Sequence, residues 1–132
     1  MALQTLDVAR PCVAAGIARA ALEEALEFAK ARMQFGRAIF ENQTVSFAMA
    51  DMATSIDAAR LLTLRACSPI ESGGEFTKEG STAKVFATKA AEQVCSKAMH
   101  LLGSSDYSRD GIVEKYCRDA KAPPILEGTS EI

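Results

Sequence analysis

The chain has no tryptophan, a single histidine at His100, and only 6% aromatic residues among its 132. Sheets are usually built from β-branched and aromatic side chains, so this scarcity, together with heavy use of alanine, favours closely packed helices. No apolar run approaches the roughly 20 residues that span a bilayer, and the amino terminus lacks the basic-then-apolar layout of a signal peptide. A soluble, cytoplasmic protein is expected, or one of the mitochondrial matrix if the source is eukaryotic. Four cysteines, Cys12, Cys67, Cys95 and Cys117, stand far apart with no CxxC pair, which suggests neither a metal site nor a disulfide framework. Net charge is −2 with both signs interspersed, so the one-sided basic footprint of a nucleic-acid binder is missing too.

What is present is periodicity. A chain of this length supports one domain with its own core. A first helix runs to about Met33, with a polar stripe of Arg19, Glu23, Glu27 and Lys30 opposite Ile17, Leu22, Leu26 and Met33. Pro11 is tolerable only in its first turn or at a kink. Gly36 ends this helix, and a linker leads to Asn42, which caps the second. There Val45, Met49, Met52, Ile56, Ala59, Thr63 and Ala66 recur at four-three spacing, the seam of a helix packed at a shallow angle. Ser68-Pro69 and Ser72-Gly73-Gly74 break the chain.

A third helix starts near Thr77, puts Ala83, Ala87, Ala90, Val94, Ala98 and Leu101 on one face, and stops at Gly103. A short fourth covers roughly Ile112 to Ala120 before Pro123-Pro124. Long helices with short connections predict an all-α, up-down antiparallel four-helix bundle without a β-sheet.

Three places invite chemistry. Arg32-Met33-Gln34-Phe35-Gly36 sets a guanidinium and an amide at a helix end, where they can bind a phosphate; an arginine there also simply complements the helix dipole. Gly103-Ser104-Ser105 can present backbone donors to an anion, or Gly103 can be only a C-cap. Glu127 lies between Ile125-Leu126 and Gly128, where desolvation can raise a carboxyl towards general-base range, although most loop glutamates are merely solvated.

The order of the pieces carries a resemblance. Asp7 with Arg10, the RxQFG run from Arg32 to Gly36, Leu102-Gly103 with Tyr107, Tyr116-x-Arg118-Asp119-Ala120, and Glu127-Gly128-Thr129-Ser130-Glu131-Ile132 make the whole chain similar to the carboxy-terminal helical domain of acyl-CoA dehydrogenases. The resemblance implies a protein of three parts of which this is the last. The chain is therefore expected to be a single domain, residues 1–132, lacking the amino-terminal helical domain, the β-domain and the terminal helix.

It also implies FAD as cofactor, an acyl-CoA thioester as substrate, electron-transferring flavoprotein as electron acceptor, and a homodimer or homotetramer. Glu127 matches the base that removes the α-proton. Some relatives carry that base just before the arginine matched by Arg10; here that position is Ala9. Asp7 and Arg10 match contacts to the CoA, and Gly128 a backbone contact to the thioester. Arg32 and Gln34, with Phe35 packing beside them, match residues that reach the FAD of a partner subunit, and Asn42 with Gln43 a second flavin-contacting pair. Thr129, Ser130 and Glu131 match the stretch along the pyrophosphate.

His100, Gly103 and Ser104 stand where similar enzymes carry a glutamine and then a glycine-rich turn near the adenosine. Asp106 departs from that pattern by adding negative charge near a pyrophosphate. Leu126 replaces a frequent tyrosine. Two other readings remain open, a non-catalytic helical oligomerisation module descended from such an enzyme, and an acyl-CoA oxidase.

Overall fold

Alanine decides how the helices meet. In the computed structural model, which describes residues 2–71 and 77–126 and leaves the side chains of 2–7, 70 and 71 undescribed, α1 spans Ala2–Ala31. Its buried stripe is Ala14, Ala15, Ala18, Ala21, Ala25 and Ala29. The larger residues that the sequence puts at the centre of this face, Ile17, Leu22 and Leu26, are only half-buried flanks, and Met33 lies beyond the helix and is exposed. The reason is steric. A methyl side chain lets the neighbouring backbone approach closely and loses no rotamer entropy on burial, so a stripe of alanines sits where the helices are nearest. Arg19, Glu23, Glu27 and Lys30 face solvent as expected and form the exposed pairs Arg19–Glu23 (2.8 Å) and Lys30–Glu27 (3.5 Å).

α2 (Gln43–Glu71) buries Met49, Met52, Ile56, Ala59, Thr63 and Ala66, with Val45 half-buried, so the four-three seam is the packed one. The Thr63 hydroxyl donates to the Ala59 carbonyl at 2.7 Å, which satisfies the one polar group on that seam. α3 (Thr77–Leu102) answers with Ala83, Ala87, Ala90, Val94 and Ala98. It packs on both α1 and α2, while the two-turn α4 (Ile112–Asp119) lies across α3 and α1. The result is the four-helix, all-α architecture that the periodicities predict.

Three local expectations are corrected. α1 continues through Pro11, which is buried in its interior; the missing N–H leaves the Asp7 carbonyl without its helical donor but does not end the helix. α2 likewise runs past Ser68-Pro69 to Glu71, because a proline in a last turn removes only one bond; Ser72-Gly73-Gly74 lies outside the described residues. Gly36 does not cap α1. It sits in a two-residue turn between β1 (Met33–Gln34) and β2 (Arg37–Ala38), an antiparallel hairpin with Gln34 opposite Arg37. Phe35 (φ 52°) and Gly36 (φ 82°) are both left-handed, the pair of conformations that a tight hairpin turn requires. This small ladder stands where the sequence suggests only a linker.

Candidate functional site

Arg32 follows the last residue of α1 and is clasped by backbone. Its N–H donates to the Phe28 carbonyl at 2.8 Å, and its own carbonyl accepts from Ile39 N–H at 2.9 Å. The chain then reverses through the hairpin, so that Arg32 and Gln34, with Phe28 and Ile39, form one wall of a 570 Å³ cleft. The opposite wall is the end of α3 and the 3-10 turn that follows it, Leu101, Leu102 and Gly103–Ser105. Gly103 adopts φ 65°, which redirects the chain after α3, and the Ser105 hydroxyl donates to the Leu102 carbonyl at 2.6 Å.

Among the described residues, none that lines this cleft is acidic. The Arg32 guanidinium and the Gln34 amide beside the apolar Phe28, Ile39, Leu101 and Leu102 suit a phosphate ester carrying an aromatic or ribose group. Four of the residues singled out from the sequence, Arg32, Gln34, Gly103 and Ser104, are thereby brought together. Asp106 is not among the residues that line the cleft. It is 7% exposed, and its Oδ2 accepts from Val113 N–H at 3.0 Å.

The other candidates are dispersed. His100, in the last turn of α3, is exposed in an adjacent groove with Thr44, Val45 and Tyr107; Gly103 and Ser104 border both spaces. Asn42 starts α2 with its backbone carbonyl, which accepts from Val45 and Ser46 N–H, each at 3.0 Å, while its side-chain Oδ1 accepts from Arg37 at 2.7 Å. Gln43 is exposed in the first turn. Phe35 does not pack beside Arg32 and Gln34: it is 100% exposed at the hairpin tip, because the two-residue turn points it away from the domain.

Arg10 is in the interior, 8% exposed, and Asp7 lies on α1 one turn before it with its side chain undescribed. Glu127, Gly128, Thr129, Ser130 and Glu131 lie outside the described residues. Their approach is described. After α4 the chain turns at Ala122, whose carbonyl accepts from Ile125 and Leu126 N–H at 3.0 and 3.1 Å, and Lys84 of α3 reaches the Leu126 carbonyl at 3.5 Å. Ile125 and Leu126 are largely exposed.

Arg37 and Lys84 were not legible as site residues. Only the strand pairing and the return of the chain past α3 reveal them. Nearby, the Cys117 thiol donates to the Cys95 carbonyl at 3.4 Å, and burial raises both thiols, Cys95 to about 12. On the outer side of α4 a hydrogen bond from Arg118 holds Glu114 below the usual carboxylate range. Among the described residues, no helix is long and apolar enough to cross a membrane.

The family model described as acyl-CoA dehydrogenase, C-terminal domain, matches residues 1–132. The chain belongs to the acyl-CoA dehydrogenase family. It is 41% identical over 134 residues to the caffeyl-CoA reductase-Etf complex subunit CarC of Acetobacterium woodii, an alignment that covers 99% of this chain and 35% of that protein. The structure of butyryl-CoA dehydrogenase from Megasphaera elsdenii superposes with a TM-score of 0.95 at 38% identity, over 98% of this chain and 34% of that one. An FAD complex of PigA gives a TM-score of 0.86 at 27% identity, over 92% and 32%. The chain thus spans about a third of the length of the relatives it matches. Within an acyl-CoA dehydrogenase domain, the cleft between the α1 hairpin and the α3 turn is the structural feature to explain.

Proposed function

We propose that the protein carrying this domain is an FAD-dependent acyl-CoA dehydrogenase, and that the domain supplies the α-proton base, Glu127, and one wall of the flavin site. The convergence of Arg32 and Gln34 with the Gly103–Ser105 turn in one cleft, which no acidic residue lines among the described residues, carries this reading. That donor set fits the diphosphate and adenosine portions of FAD. Arg32 would meet the diphosphate charge and Gln34 and the turn its neighbouring polar atoms, with Leu101, Leu102 and Ile39 as apolar floor. The membership of the family, the FAD complex of a structural neighbour and the acyl-CoA substrates in relatives' names support it further.

The chemistry is a desaturation. The α-proton passes to the Glu127 carboxylate, the β-hydrogen leaves as hydride, and the electron pair of the α C–H bond becomes the new double bond. When bound, FAD supplies the hydride acceptor that no side chain can provide. A proton next to a thioester carbonyl is weakly acidic, so Glu127 must come within about 3 Å of it and be shielded from full solvation. Because Ile125 and Leu126 are exposed here, that shielding is assigned to the acyl chain and to other domains or subunits. Electron-transferring flavoprotein is the proposed electron acceptor, in line with the Etf complex named for the Acetobacterium relative. A homodimer or homotetramer completes the proposal, with Phe35 at the hairpin tip reaching a neighbouring subunit.

Anaerobic bleaching of the flavin by acyl-CoA tests the reading. The complete protein should copurify with FAD and be bleached, whereas this domain alone should retain little FAD. Glu127→Gln keeps the shape but cannot accept the proton, so bleaching should slow by roughly 10²–10⁴-fold while acyl-CoA still binds. Bleaching at the parent rate would place the base elsewhere.

A further inference from the structure

Gly103-Ser104-Ser105 suggests donors for an anion when read as sequence, yet the Ser105 side chain is turned to the opposite use. Leu102 is the last residue of α3, and its carbonyl is among those that a helix leaves without an intrahelical donor at its C-terminus. The Ser105 hydroxyl donates to that carbonyl at 2.6 Å. A carbonyl can only accept, so the single proton of the hydroxyl lies on this line, and what remains on Oγ is lone pairs. Ser105 is exposed and is one of the residues lining the cleft.

The two walls of the cleft therefore differ in kind. On the hairpin side stand Arg32, whose guanidinium carries only donors, and Gln34, whose amide offers both a donor and an acceptor. On the far side stand the C-terminal end of α3, where the helix dipole is negative, and Ser105 Oγ with its proton committed. The turn that carries Ser105 is held at both ends. Gly103 adopts φ 65°, which glycine does at little steric cost, and the Asp106 N–H donates to the Gly103 carbonyl at 3.4 Å. An anion against Ser105 would meet lone pairs, whereas a hydroxyl would meet an acceptor. A phosphate accordingly belongs on the Arg32 side, and a ligand that bridges the cleft must turn a hydrogen-bond donor towards Ser105.

We propose that Ser105 is a specificity-determining residue that accepts a hydrogen bond from a ribose hydroxyl in the adenosine half of FAD, and so sets which way round the nucleotide lies in the cleft. The inference rests on the FAD reading above and deepens it. The adenosine half offers donors of two kinds, the ribose hydroxyls and the amine of the base. The ribose is joined directly to the phosphate that Arg32 would hold, so in a cleft of 570 Å³ its hydroxyls, rather than the more distant amine, are the donors that reach the opposite wall.

The experiment takes the complete protein, freed of flavin, as parent and as Ser105→Ala; the residue is exposed, so alanine leaves the bundle folded. Each is titrated by fluorescence with FAD, with FAD analogues lacking the 2′- or the 3′-hydroxyl of the adenosine ribose, and with the hypoxanthine analogue, which has no amine. The parent should bind one of the deoxy analogues about fivefold more weakly than FAD, the scale of one neutral hydrogen bond at roughly 1 kcal/mol. Ser105→Ala should bind FAD more weakly by about the same factor and should no longer distinguish it from that deoxy analogue. A residue that only holds the end of α3 would weaken FAD and every analogue alike; an unchanged ratio in Ser105→Ala therefore overturns the proposal, as does a parent that binds FAD and both deoxy analogues equally. A preference for FAD over the hypoxanthine analogue that disappears in Ser105→Ala gives the contact to the amine and overturns the ribose assignment. A complete protein that binds neither FAD nor any analogue overturns the FAD reading itself, and the role of Ser105 with it.

Discussion

Arg37 donates from Nη2 to Oδ1 of Asn42 at 2.7 Å, fastening the second strand of the hairpin to the first turn of α2. The contact orients the hairpin that carries Gln34 and Phe35, and it leaves Arg32, not Arg37, as the arginine lining the cleft. Asn42→Ala removes the side-chain acceptor but keeps the backbone carbonyl that starts α2. An exposed bond of this kind contributes at most about 1 kcal/mol, so the melting temperature should barely move. FAD binding to the complete protein should weaken about fivefold, the equivalent of roughly 1 kcal/mol. Arg32→Ala removes a direct charged donor worth about 1.5–3 kcal/mol and should weaken FAD binding by about 10–100-fold. Fluorescence titration of FAD separates the two, and equal losses would contradict the assignment.

The turn at Phe35-Gly36 sets local stability against function. A bulky side chain at φ 52° is unfavourable, and residues held this way tend to mark functional surfaces. Asparagine tolerates this conformation better, so Phe35→Asn should leave the melting temperature unchanged or raise it while weakening flavin binding in the assembled protein. Gly36→Ala, forced to φ 82°, should instead destabilise by about 1–2 kcal/mol. Calorimetry of both variants checks the opposite signs.

Burial first, and then the neighbouring Cys117 thiol and Asp119 carboxylate, push the Cys95 thiol from 9.0 to about 12. Between these values the folded protein holds a proton that the unfolded chain has released. Stability from this group is therefore complete below pH 9 and declines as pH rises towards 12, by at most about 1.4 kcal/mol per pH unit. Cys95→Ala should flatten the alkaline fall in melting temperature relative to the parent. At neutral pH, iodoacetamide should modify the exposed Cys12 before Cys95; rapid alkylation of Cys95 in the folded protein would contradict its burial.

Phe47, Leu61 and Leu64 of α2 are 63%, 67% and 61% exposed. Leu61 and Leu64 stand one turn apart and make an exposed apolar patch of the kind that favours association. Leu61→Lys combined with Leu64→Glu should lower the assembly state measured by sedimentation without unfolding the bundle. An unchanged mass would move the subunit interface to another face.

The α2 seam was legible in the sequence because its four-three spacing is a local property of one helix, and Gly103 as the stop of α3 was legible for the same reason. The alanine stripe of α1 was not: which face of a helix lies nearest its neighbour depends on the neighbour, and sequence alone favours the larger Leu22 and Leu26. Pro11 reads as a first-turn or kink position and Pro69 as a break, yet both stand inside helices, since the packing of a long helix outweighs one missing backbone bond. The motifs named Arg32, Gln34, Gly103 and Ser104, but only the folding of α3 against α1 puts them in a single cleft. The direction of Asp106 was also beyond the sequence. Its charge is local, but its partner is the amide of Val113, and a carboxylate faces solvent or core according to where such a donor waits, which the tertiary structure alone decides.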